Sequence, residues 1–494
     1  MASTPSDGAA RPRTPDGMVG RARERVQPSL VWVIKQTRAA RALALWLPRY
    51  ANQRGPSADA LFLTLGAGVG LIGAVGVQLF FNLIDLANDA LVVWPSQLQW
   101  FQGRWIVPPI LTGGSLALAA WVMRRFGAGY DGLNVPDVAY AVSRGDGHIP
   151  VRPSLFKSLA SAVTIGGGGS AGSEGPVAVL GSALASAFAK PLRLRPARVR
   201  VLVGAGAAAG ISATFSAPLA GAFFALEEIL KSSSTTAFAP VVVASVVAHA
   251  TTLVFFGSDA PFPQALDYGY NFYREVFIFF PLLGVVTGLM AGFFVVLEDR
   301  VARARWRRIT PPLALPWIGG AIVGLIIAAG QGVLTSRGHF TIDFEALARF
   351  SWQVLLLMAV GKVVATVLTL NSGGSGGVFA PSLVIGATTG TALGLLLREL
   401  FPALPLTPES YALAGMGSLV AAATGAPITA ILLVFEITED HAIILPLMLS
   451  VVIAVTVRRM FIRETLYTAW LRRTGRVTKS GDEEPLTGEW MAVR

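Results

Sequence analysis

Apolar positions run through this chain in long blocks, interrupted by glycine and proline more often than by charge. Leu61 to Leu83, Trp105 to Val122, Phe277 to Leu297, Leu315 to Gly330, Val354 to Leu370 and Ile443 to Val457 approach or exceed the ~20 residues that cross a bilayer as helix. Ala58 to Val93 is longer than one upright crossing and predicts a tilted helix. Other blocks are too short to cross upright and predict broken segments. Only helices or closed barrels satisfy backbone groups in lipid, so the pattern predicts an all-α polytopic membrane protein of tilted and broken helices. Val31 to Tyr50 mixes Arg with Trp and Leu, which predicts an interfacial helix over residues 31–52. Residues 1–30 are rich in Pro, Gly and Arg and predict a disordered tail rather than a cleaved signal peptide.

The second half repeats the plan of the first. Gly376-Gly-Val-Phe-Ala-Pro381 through Gly386 parallels Glu174-Gly-Pro176 through Gly181, and Ala414-Gly-Met-Gly417 parallels Val203-Gly-Ala-Gly206. Ala426-Pro427 with Glu436 parallels Ala217-Pro218 with Glu227. Duplication with Gly/Pro-broken spans predicts a transporter whose site lies where the halves meet. The expected organisation is a first transmembrane repeat over 55–257, a second over 270–460, a helix over 461–475 and a cytoplasmic tail over 476–494.

Composition narrows the chemistry. The chain has 494 residues, 53% hydrophobic and 14% charged, with mean hydropathy +0.59. It has no cysteine, which excludes disulfides and thiolate chemistry. The net charge is +11, concentrated in the first 50 residues, around Arg300 to Arg308 and after Val457. By the positive-inside rule both termini are expected in the cytoplasm. No folded basic domain carries this charge, so a nucleic-acid partner is not expected. His148, His249, His339 and His441 lack metal-ligand spacing, and Gly166 to Gly169 lacks the Lys-Ser/Thr of a phosphate loop. Neither a catalytic constellation nor a cofactor signature survives, and no enzyme activity is expected. Lys362 lies in an apolar run, where it either snorkels or pairs, and is given no role.

The chemistry gathers at Gly166 to Gly181, GGGGSAGSEGPVAVLG. A proline-started helix offers free N–H groups and a positive dipole end to an anion. Glu174, deep in an apolar chain, is a functional-site candidate by default and is able to compete for that place. Gly127 to Asp137 is a second glycine-rich approach to a helix N-terminus, with Pro136 in its first turn.

GSEGP at 172–176, GGVFAP at 376–381, the APLAG stretch ending in Glu227-Glu228 and the late Tyr467 resemble the CLC family of chloride channels and proton-coupled anion antiporters. The resemblance covers roughly residues 55–475. It implies two inverted repeats per subunit, a homodimer in a lipid bilayer, and chloride and protons as partners. It implies that Glu174 is the external gate, Glu228 the internal proton-transfer acid and Glu227 its adjoining acid. Backbone amides at Val378 and Phe379, with Gly175 and Gly377 beside them, would hold the central anion, and the Tyr467 hydroxyl would donate to it. One motif departs: the family's GSGIP reads Gly132-Leu-Asn-Val-Pro136 here, so Leu133 stands for the anion-coordinating serine, and either Asn134 restores a donor or the inner gate is an apolar constriction. Gly145 to Pro150 has one residue too many and is rejected.

The leading expectation is chloride/proton exchange, against a passive chloride channel or an exchanger of another anion such as nitrate or fluoride. About 20 residues follow Leu471, too few for the family's nucleotide-binding regulatory pair. Arg-rich, cysteine-free composition points to a bacterial plasma membrane.

Overall fold

The computed structural model describes residues 56–98, 105–127, 133–231, 234–257, 275–304, 311, 313–330 and 344–476. The expected tail, interfacial helix and terminal segment past 476, together with Gly132, His339 and Arg305 to Arg308, lie outside them. The contacts divide the chain after Gln53, and every described residue belongs to the second unit.

The described residues form helices α1 (Pro56–Asn88), α2 (Val107–Phe126), α3 (Val135–Arg144), α4 (Val151–Gly166), α5 (Glu174–Ala189), α6 (Pro196–Phe215), α7 (Pro218–Phe224) and α8 (Thr235–Phe256). The same succession follows as α9 (Glu275–Ala302), α10 (Ala314–Ala329), α11 (Phe344–Ala348), α12 (Trp352–Ser372), α13 (Phe379–Leu400), α14 (Pro408–Thr424), α15 (Pro427–Thr438) and α16 (Ile444–Phe461). α17 (Leu466–Arg473) is appended. Among the described residues seven helical stretches are long and apolar enough to cross a membrane. α1 has 33 residues, longer than an upright span, and runs on through a π-helical turn at Asp89–Val93. Proline sits in the first turn of α6, α7, α14 and α15, where its missing N–H costs no bond.

The halves meet on a local two-fold axis. Gly172 and Gly377, 205 positions apart, form an antiparallel bridge: each N–H donates to the other's carbonyl, at 2.8 and 2.7 Å. Equivalent hydroxyl bonds flank it. Ser170 N–H donates to Thr369 Oγ1 at 3.1 Å, as Ser375 N–H does to Thr164 Oγ1 at 3.0 Å. The Ser170 hydroxyl pairs with Thr366 at 2.8 Å, as Ser375 pairs with Ser161 at 2.9 Å. Broken backbone at membrane depth is tolerated only when its polar groups are satisfied inside the protein, and these bonds satisfy them. Lys157 and Lys362, also 205 apart, are both buried, and the full burial of Lys362 excludes snorkelling.

Close helix crossings repeat as well. A Cβ built on Gly181 would stand 2.1 Å from the Gly206 carbonyl oxygen, and one on Gly386 2.3 Å from that of Gly415. This corrects the sequence register. Gly206 corresponds to Gly415, not Gly417, because backbone contact rather than motif spelling fixes the alignment.

The repeats also cap each other. The Glu436 carboxylate at the end of α15 accepts the Leu219 and Ala220 N–H groups of α7, both at 2.7 Å. Glu227, past the end of α7, accepts Ile428 N–H at 3.1 Å, Thr429 N–H at 2.9 Å and the Thr429 hydroxyl at 2.7 Å, at the start of α15. Each acid neutralises the positive end of its counterpart helix. Glu436→Ala is expected to destabilise the protein by about 1–2 kcal/mol, the scale of a lost N-cap. The thermal midpoint in detergent measures this, and an unchanged midpoint would remove the cap from the account.

Candidate anion pathway

α5 and α13 begin at Glu174 and Phe379, on either side of the Gly172–Gly377 bridge. The first N–H groups of a helix have no partner within it. Among the described residues, the Gly175, Val378 and Phe379 amides donate to no carbonyl. Gly377 and Val378 are partly open, whereas Phe379 is buried, its ring centroid 6.0 Å from Phe215 and 6.3 Å from Phe224. A Cβ on Gly175 would come within 3.1 Å of Gly377 Cα, so the two helix starts are in backbone contact.

Glu174 lies in this junction at 1% exposure. Its polar neighbours are its own amide, the Ala380 amide and the Ser173 hydroxyl. Neither carboxylate oxygen, however, makes a well-directed hydrogen bond. The side chain of one helix start thus rests against the Ala380 amide in the first turn of the other. A buried ionised carboxylate without good bonds is costly unless fixed positive groups or a proton compensate it. Gly172 makes room for it: a Cβ there would lie 2.1 Å from Glu174 Oε2.

The two neighbouring acids part ways. Ala225–Leu230 is a π-helical turn, a form common at functional sites. It sends Glu227 to the α15 amides and buries Glu228 at 6% exposure. Glu228 Oε1 borders the space left by Gly425, whose left-handed backbone (φ +98°) suits glycine, with Thr465 on the other side. Thr465 caps α17, accepting Thr468 N–H at 3.1 Å, and α17 carries Tyr467. Tyr467 follows two residues after Thr465, whose side chain shares the space at Gly425 with Glu228 Oε1. Its hydroxyl makes no hydrogen bond among the described residues.

α3 packs against the π turn and against α17. Asn134 stands at its start, and Asp137 accepts the Asn134 N–H at 2.7 Å. Leu133 is buried in the main apolar cluster, on which Val378 and Tyr467 also pack. The structure therefore gathers Glu174, Gly175, Gly377, Val378 and Phe379 at one junction, with Tyr467, Glu228, Leu133 and Asn134 on one flank. Glu227 faces the opposite repeat. Sequence reasoning missed the Ser/Thr pairs behind the bridge, although their 205-residue spacing is readable. It also missed the bond from Asp137 to Trp470, for which only the acid at the third helical position was a signal. No cluster of acids and histidines that could hold a metal occurs among the described residues.

Residues 115–459 match the model of a family described as voltage gated chloride channel. The chain is 34% identical over 373 residues to a "Putative chloride channel protein ClcB-like" of Ralstonia nicotianae, covering 74% of this chain and 84% of that protein. It is 31% identical over 425 residues to an "H(+)/Cl(-) exchange transporter ClcA" of Vibrio cholerae, covering 84% and 89%. Among solved structures, that of a slow cyanobacterial Cl-/H+ antiporter superposes with TM-score 0.68 at 27% identity, over 85% of this chain and 99% of that one.

Proposed function

The chain belongs to the voltage-gated chloride channel family, and on that premise we propose that it exchanges chloride for protons, with Glu174 as the group both ions share. The observation that carries the reading is the Glu174 carboxylate, buried without a well-directed bond where the helix starts of α5 and α13 meet. Ionised, it occupies the place an anion would take against the Val378, Phe379 and Ala380 amides. Protonated, it has no claim on those amides and swings out, and a chloride enters. The proton then passes between Glu174 and Glu228 along a path that leaves the anion's route. Tyr467 donates its free hydroxyl to the anion from the cytoplasmic side, and Leu133 and Asn134 form the opposite wall.

Glu227 has a different place in this scheme. Its oxygens are taken by α15, so it holds the π turn that aims Glu228 rather than carrying protons itself. The reading includes a homodimer seated in the lipid bilayer. The seat is a bacterial inner membrane with both termini in the cytoplasm.

In reconstituted vesicles a chloride gradient alone is expected to drive protons uphill. Under a pH gradient the reversal potential is expected to lie away from the chloride equilibrium value. A passive channel is the second reading, favoured by Leu133: a hydrogen bond worth about 1.5–3 kcal/mol to a charged partner is missing from the inner wall. A reversal potential at the chloride equilibrium value would establish the channel and reject exchange.

A further inference from the structure

α17 has eight residues, too few to be held by a membrane-thick apolar face. Polar contacts hold it from two sides. On the side of α9, Arg473 grips Glu298 with both terminal nitrogens, at 2.5 and 2.9 Å. Arg472 lies 3.0 Å from Asp299 and also pairs with Glu464. On the side of α3 there is one carboxylate, Asp137, 3% exposed. Its Oδ2 accepts the Asn134 N–H at 2.7 Å and the Trp470 indole N–H at 3.2 Å. Its Oδ1 accepts the Arg476 guanidinium, which also lies over the Tyr140 ring of α3, 5.5 Å from the centroid.

A single side chain thus ties the start of α3, where Leu133 and Asn134 stand, to the helix that carries Tyr467. These are the two cytoplasmic walls of the pathway. We propose that Asp137 is a positioning residue for anion transport: by joining Asn134 to Trp470 and Arg476 it sets the gap between Leu133 and Tyr467 at the inner mouth. This rests on the reading that the anion passes between those residues. Asp137 does not touch the anion. Its importance is heightened by Leu133, which offers no hydroxyl. The inner mouth is then defined by how firmly its walls are held rather than by a hydrogen bond to the ion. Because Arg473 and Glu298 dock α17 independently, loss of the Asp137 ties shifts the wall without releasing the helix.

The experiment compares wild type, Asp137→Asn, Arg476→Gln and the double variant in the full chain, reconstituted into vesicles. Chloride turnover and protons moved per chloride are read together with amide exchange over residues 466–473. Each single variant is expected to raise chloride turnover and to lower protons per chloride, both by at least about twofold. The double variant is expected to add nothing beyond Asp137→Asn, since contacting partners couple non-additively. Exchange of the α17 amides should quicken while that of α9 and α12 stays unchanged. Arg476→Gln leaves the Asn134 and Trp470 bonds in place, so it carries the test alone if Asp137→Asn fails to fold.

Unchanged turnover and ratio in folded Arg476→Gln, or additive effects of the two changes, would overturn the proposal. A wild type that moves chloride without protons refutes exchange instead, and chloride turnover in the variants then still judges Asp137.

Discussion

Glu174→Gln is expected to keep chloride flux and abolish proton flux. Glutamine has nearly the shape of a protonated glutamate and no proton to give up. In the junction it would behave as the displaced, protonated gate does, leaving the Val378 and Phe379 amides open to the anion. The loss of proton transport should be at least about 100-fold, the scale on which a positioned proton carrier acts. Chloride release followed by an electrode, with external pH recorded in the same vesicles, measures both. Uphill proton movement that survives the substitution would show that Glu174 is not the shared group. Complete loss of chloride flux in folded protein would show that it is not a gate.

A second large effect should follow from one methyl group. In Gly172→Ala the new Cβ would stand 2.1 Å from Glu174 Oε2 and 3.1 Å from both Ala380 N and Pro381 Cδ. The flexible carboxylate gives way more easily than two backbone segments, so Glu174 is pushed off the Ala380 amide. Overpacking of this kind costs roughly 1–3 kcal/mol, enough to change the ratio of occupied to vacated states by about 5- to 150-fold. Chloride flux at neutral pH should rise toward its value in acid, and its pH dependence should flatten. The Gly172→Ala, Glu174→Gln double variant should match Glu174→Gln, because no ionised gate remains to displace. A steep pH dependence retained in folded Gly172→Ala protein would mean that the carboxylate gates from somewhere else.

The helix starts of the site were legible because proline and glycine punctuate them locally: Pro176, Pro381, Pro218 and Pro427 each fall in a first turn. What joins those starts was not. Nothing near Gly172 names Gly377 as its partner, since the bond is made by backbone atoms that every residue carries. Glu227 and Glu228 are adjacent acids in sequence, and only the widened π turn separates a cap on the other repeat from a buried acid beside Gly425. The tie from Asp137 to Trp470 and Arg476 spans more than 330 positions and carries no periodic signal. The glycine register slipped by two because Gly-x-Gly at 204–206 and at 415–417 agree in spelling, whereas backbone contact pairs Gly206 with Gly415.

Glu174 and Phe379 occupy the same place in the two repeats, 205 positions apart, one on each side of the axis through Gly172 and Gly377. Two identical half-length chains related by that axis would have to present two carboxylates there, repelling each other, or two phenyl rings and no titratable group. Fusion into one polypeptide lifts that restriction: the frame keeps its mirror-like economy while its centre becomes lopsided. Which pole of the junction carries the acid is then fixed by Glu174 standing where the other repeat has Phe379.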